Sequence, residues 1–271
     1  MFAAAFLARW LTALIGAACA LPAGLFSSLE PARVGGMDGP VQARSFGLVS
    51  GLGVGAGMFY YKALVDGHLA RGLSPRLLMV HADVRYVMSK AQARETKQLA
   101  EYLAGLLSQL GRGGAEIASI PAFAPQICAD ELASITPLPL ISLLDSIASE
   151  VESRRFNRVA IFGARVTMET QMFGKLNATD VIMPAADEID EISNIYVRVV
   201  EEAQASIEDF NRLRILAHTL IERDSLDAIV LAGTDLAFVF NPSNTDFPHL
   251  DGARVHVDAI MRQIAPVAFP A

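Results

Sequence analysis

From Ser45 onward, short apolar runs alternate with longer stretches whose apolar positions recur every three or four residues. Ser45–Ser50 (SFGLVS) reads as a strand that runs into the turn Gly51–Gly55. A helix is predicted over Ala56–Arg71 and a second strand over Arg76–His81. Ala91–Leu110 has Leu99, Tyr102, Leu103, Leu106, Leu107 and Leu110 at helical spacing, so it reads as one amphipathic helix closed by Gly111–Gly114. Ala115–Ile120 is a third strand, Pro125–Ser134 a helix, and Leu138–Ile141 a short strand before a helix ending near Arg154.

The order then recurs. Arg158–Phe162 is a strand ending at Gly163, Thr167–Leu176 a helix, and Asp180–Met183 a strand. Asn194–Arg223 is helical, long enough for two pieces, and Leu226–Leu231 is a strand ending at Ala232–Asp235. His256–Gln263 opens the last helix. Phe46 and Val159 occupy equivalent points 113 residues apart, and Ile117 and Ala228 lie 111 apart. The pattern predicts an α/β protein of two pseudo-symmetric βαβαβ halves, each a parallel sheet flanked by helices, with a cleft between them. The first half spans 45–145 and is joined by a C-terminal helix, 253–271; the second spans 146–252. In such sheets ligands bind beyond the carboxyl ends of the strands, so the loops there are the positions of interest.

Residues 1–44 break this pattern. Met1–Phe26 is almost wholly Ala, Leu, Phe and Gly with one charge at Arg9, followed by a linker-like stretch to Gly36. Two readings stand side by side: an export signal, which makes the protein exported or periplasmic, or a chain that starts at Met37 and is cytoplasmic. Pro22 interrupts the apolar stretch, which is short for a stable membrane span. The 22 basic and 29 acidic residues give a net charge of -7, which offers no surface for nucleic acid. Two cysteines among 271 residues exclude a disulfide framework, and no metal site is expected because no His/Cys cluster has ligand spacing.

The loop Gly51-Leu52-Gly53-Val54-Gly55-Ala56-Gly57 matches the dinucleotide fingerprint only formally, through Gly51, Gly53 and Ala56. Asp83 falls after the second strand, not at its end, so no cofactor is expected and the loop reads as a tight turn around a small anion.

Several segments, in order, resemble aspartate/glutamate racemases: Leu48–Val54 with Phe59-Tyr60-Tyr61, His81-Ala82-Asp83, Arg158–Met168, Leu226–Asp235, and Leu250–His256. The resemblance covers about residues 45–265 and implies the two-halved fold, a small carboxylic acid or amino acid in the cleft, and no cofactor. It also implies one cysteine on each side of the cleft, because moving an α-proton between faces takes two bases. The alignment places Ala122 at the first cysteine, with Phe123, Ala124 and Gln126 where the family has Asn, Thr and His, and Gly233 at the second. The actual cysteines are Cys19 in the leader and Cys128 inside the following helix, where a buried inert thiol is expected. Two-thiol racemisation is therefore not expected.

The resemblance leaves His256, Asp83 and Thr234 as candidate catalytic groups. Gly53, Ala122, Phe123, Ala124, Gln126, Gly233, Thr234 and Asp235 are the candidate substrate-binding positions. Blander roles stand beside these: a bonded helix-end histidine for His256, a helix cap for Asp83 and Asp235. Asp187-Glu188 and Asp190-Glu191 read as a solvated acidic face. Three functions stay open: a cysteine-free isomerase, lyase or decarboxylase; an inactive homologue that binds a ligand or partner; and, with a true leader, an exported binding protein. A homodimer is compatible with each.

Overall fold

A computed structural model describes residues 43–265. The leader, its linker and Cys19 lie outside the described residues. The first sheet is built on β1 (Phe46–Ser50), with β2 (Leu77–His81) on one side and β3 (Ile117–Ser119) on the other, all parallel. Phe46, Leu48 and Val49 are fully buried, as a central parallel strand covered on both faces requires. A single bridge from Ala118 to Leu140 extends this sheet beyond β3. The second sheet has the order β5 (Asp180–Val181), β4 (Arg158–Gly163), β6 (Ala228–Ala232), β7 (His249–Asp251), again parallel. Phe46 pairs with Ile117, and Val159 with Ala228, so the equivalences read from sequence spacing are also register partners.

Between the strands of the first half lie α1 (Val54–Leu69), α2 (Val84–Gln92), α3 (Thr96–Arg112), a 3-10 turn over Ala124–Cys128, α4 (Ala129–Ile135) and α5 (Leu143–Ser153). The second half carries α6 (Arg165–Glu169), α7 (Ala186–Glu202), α8 (Ile207–Asp224) and α9 (Leu236–Val239), and the chain ends on α10 (Gly252–Ile264). Caps set the boundaries. Ser142 Oγ accepts from Asp145 N at 3.1 Å, Ser206 Oγ from Asp209 N at 3.0 Å, and Asp251 Oδ1 from Ala253 N at 3.0 Å. Helix α10 buries Val257, Ile260, Met261 and Ile264 against Phe46, Leu48, Tyr60 and Leu64 of the first half.

Four expectations need correction. The stretch Ala91–Leu110 is not one helix: the chain turns at Arg94, which has φ +55°, and the Lys90–Glu95 ion pair closes the corner between α2 and α3. Thr167–Leu176 is not one helix either. After α6 the backbone makes a left-handed turn, with φ of +49°, +55° and +58° at Gln171, Met172 and Phe173, and this buries Met172 in the core. The last helix begins at Gly252, not near His256, because β7 delivers Asp251 as its cap. The acidic run at the start of α7 is not simply solvated: Glu188 pairs with Arg223, Asp190 with Arg165 and Glu191 with Arg212. Among the described residues, no helix is long and apolar enough to cross a membrane.

Candidate functional site

The loops that follow β1 and β6 meet at the carboxyl ends of their strands. The turn after β1 needs a glycine at its first position. Gly51 has φ +89°, and a Cβ there would stand 2.7 Å from the Ala82 carbonyl oxygen. This turn aims the first amides of α1 at the loop after β6. The Ala56 amide donates to Asp235 Oδ1 at 3.0 Å in a buried bond that joins the two halves. A Cβ on Gly53 would lie 2.9 Å from Asp235 Oδ2, and one on Gly55 would lie 3.1 Å from Oδ1. The glycine-rich loop therefore cradles a carboxylate, as expected of a helix N-terminus, and that carboxylate is the chain's own.

Asp235 is 2% exposed. Burial pushes its carboxyl up to about 6, against the pull of the Ala56 amide and the Thr234 hydroxyl. Thr234 is buried beside it, and Tyr196 of α7 closes the same corner. Burial raises the Tyr196 phenol well above its ordinary range, so it is protonated at any working pH. Its ring fills the space next to Gly233: a Cβ on Gly233 would stand 2.3 Å from Tyr196 Cε2. Ala122 and Phe123 are buried as well, and Phe123 packs into the core of the second half. Gln126 donates from Nε2 to the Ala122 carbonyl at 2.8 Å, so it braces its own loop.

His256 belongs to a separate cluster. It is fully buried on α10, and both ring nitrogens have protein partners. Nδ1 is 2.9 Å from Tyr60 Oη; Nε2 is 2.9 Å from Ser119 Oγ and 3.1 Å from the Ile141 carbonyl. The carbonyl can only accept, so Nε2 carries the proton and Nδ1 accepts from Tyr60. Burial lowers the imidazole to about 4 and raises the Tyr60 phenol, so both are neutral. One neutral histidine thus ties α1, β3, the Leu140 segment and α10 together.

The remaining candidates divide. Asp83 is exposed and caps α2, accepting from the Arg85 and Tyr86 amides at 2.9 and 3.2 Å. Cys128 is buried; its Sγ donates to the Pro125 carbonyl at 3.2 Å, and burial pushes the thiol up to about 12. The structure thus brings Gly53, Gly233, Thr234 and Asp235 to one place. His256 sits in its own hydrogen-bonded strut, and Asp83 caps a helix. Sequence reasoning missed Tyr196. Nothing in its surroundings on the acidic helix α7 signals that it lies over Gly233, some 37 residues on. Among the described residues, no group of three or more His, Cys, Asp or Glu could hold a metal ion.

The comparisons with known proteins fit this fold. The Asp/Glu/Hydantoin racemase family model matches residues 49–260. An Asp/Glu racemase candidate from Yersinia pestis superposes with a TM-score of 0.70 at 18% identity, over 80% of this chain and 97% of its own. An aspartate racemase homologue from Pyrococcus horikoshii OT3 gives 0.69 at 18% identity, over 82% of this chain and 99% of its own. Glutamate racemase from Thermus thermophilus, solved with beta-chloro-D-alanine, gives 0.56 at 21% identity, over 81% and 80%. At these identities the superpositions speak for the fold.

Proposed function

Since the chain belongs to the Asp/Glu/hydantoin racemase family, we propose that it keeps the family's cleft as a binding site for a small carboxylic acid or amino acid and does not racemise it by two thiols. The observation that carries this reading is the fit at Gly233, where the Tyr196 ring stands 2.3 Å from the place a side chain would begin. No thiol can occupy that point in this packing, and Cys128 is held protonated elsewhere. The polar end of the site is the Ala56 amide with Thr234, and Asp235 holds that amide in the closed form. A ligand carboxylate would take the same donor, so it enters as Asp235 swings away. His256 positions α10 against the first half and touches no ligand; Ala122, Phe123 and Ala124 supply the apolar wall.

The test is a panel of small carboxylic and amino acids, aspartate and glutamate included, followed in D₂O by proton NMR. The expected result is a raised melting temperature with at least one acid and no loss of any α-proton signal. Loss of an α-proton signal would overturn the reading.

A second reading has its own observation. Asp235 titrates near 6, a useful value for an acid or base at neutral pH. In that reading the protein is a cysteine-free isomerase or lyase with Asp235 moving the proton and Thr234 orienting the acid. Exchange in D₂O that disappears in Asp235→Asn would establish it in place of the first.

A further inference from the structure

A hollow of about 290 Å³ lies apart from the corner around Asp235. Of the candidate positions described above, only Gln126 borders it. Its floor is buried and apolar: Ile120 just past β3, Leu132 of α4, and Ile141, Leu143 and Leu144 where the chain enters α5. Its rim is exposed and charged, with Asp130 on α4, Asp145 in the first turn of α5, and Lys175. Lys175 arrives from the second half, just after the left-handed turn at Gln171–Phe173, and the buried Met172 anchors that turn. Its Nζ donates to Asp145 Oδ1 at 2.8 Å.

Three features narrow the occupant. The volume sits at the lower end of small-molecule sites, too small for a nucleotide or a peptide. The apolar floor calls for an alkyl group, because polar atoms placed there would lose their hydrogen bonds to water. The rim carries both signs of charge. Asp130 opposes a plain carboxylic acid, and Lys175 opposes a plain amine. A zwitterion answers both, with its carboxylate on Lys175 and its ammonium on Asp130. The pair that Lys175 makes with Asp145 is exposed, at 39% and 62%, so solvent screens it and exchanging it for a ligand carboxylate costs little.

We propose that this hollow is a second binding site, for an amino acid with a branched aliphatic side chain. Lys175 takes the carboxylate, Asp130 the ammonium, and Ile120, Leu132 and Leu143 the alkyl group. Gln126 borders the hollow while bracing the Ala122 carbonyl, so the occupant touches the loop that carries Ala122–Ala124. The proposal is independent of what the corner around Asp235 binds.

The full chain, labelled with nitrogen-15, is titrated with L-leucine and followed through its backbone amide resonances. The titration runs to about 10 mM, above the ~1 mM dissociation constant within reach of so small a ligand. The expected result is saturable shifts at Ala133 and Leu143, weakened about threefold or more by Lys175→Met and by Asp130→Asn. Both substituted side chains are exposed, so both variants should fold. Two analogues separate the charges. 3-Methylbutylamine, which lacks the carboxylate, should bind Lys175→Met more tightly than the native chain. 4-Methylpentanoate, which lacks the ammonium, should bind Asp130→Asn more tightly than the native chain. Absence of shifts at Ala133 and Leu143 at the highest leucine concentration overturns the proposal, whatever happens at Gly233, which reports the other corner. So does leucine binding indifferent to both substitutions, or analogues that ignore the change of charge.

Discussion

The two halves share one design and use it differently. Both sheets are parallel, with equivalent central strands paired through Phe46–Ile117 and Val159–Ala228. Yet the first half holds the buried His256 in a saturated, neutral network, whereas the second places a carboxyl where burial opposes its charge. The same topology thus yields a strut on one side of the cleft and a titrating latch on the other. The lesson is that polar groups at strand ends take their role from what satisfies them, not from their position in the fold.

The comparison can be broken most forcefully at the strut. His256→Ala removes hydrogen bonds to Tyr60, Ser119 and Ile141 and opens a cavity. The expected loss is ~3–5 kcal/mol in urea unfolding. A loss below ~1 kcal/mol would mean the network is not structural.

Gly233→Cys tests the other side. The new Cβ drives into the Tyr196 ring, with an expected cost of ~2–3 kcal/mol that Tyr196→Ala in the same chain partly relieves. A stable Gly233→Cys protein in the wild-type background would contradict the packing described for this corner.

Asp235→Asn sharpens the difference without removing volume. The folded carboxyl titrates near 6 and the free one near 3.8, so between those values the folded chain holds a proton that the unfolded chain has released. Stability from this group is present below pH ~4 and lost as pH rises through ~6, and the neutral amide is spared that loss. The expected gain at pH 7 is ~2 kcal/mol, provided Asn Oδ1 keeps the Ala56 amide. His256 slopes the other way: its folded value is about 4 against 6.5 free, so its stability is lost as pH falls through that window. The two slopes oppose each other in the wild type, and Asp235→Asn should expose a steeper acid loss. An unchanged pH profile would deny Asp235 its raised value.

Arg212→Ala, which breaks an exposed two-pronged pair with Glu191 that solvent screens, should leave the urea midpoint of unfolding nearly unchanged. A larger effect would move the stability of the second half from its core to its surface.

Much of this was legible in the chain. Strand runs such as Phe46–Ser50 and Ala228–Ala232 are apolar throughout, and their spacing fixed which strands correspond. The resemblance also brought Gly53, Gly233, Thr234 and Asp235 onto one list, and they do converge. What was illegible is tertiary. Tyr196 reaches Gly233 only because α7 packs over β4, and no local pattern encodes that approach. The left-handed turn at Met172–Phe173 uses no glycine at those positions, so the usual punctuation is missing. His256 drew attention as a titratable group at a helix start, but it is neutral through burial, and the partners that satisfy its ring nitrogens come from three distant segments.

One NMR pH titration reads both sides of the cleft at once, through the imidazole nitrogens of His256 and the carboxyl carbon of Asp235. The expected result is a His256 that stays neutral from pH 8 down to 5 while Asp235 titrates with a midpoint near 6. A His256 midpoint at its ordinary 6.5 together with an Asp235 midpoint near 3.8 would contradict the strut and the latch together.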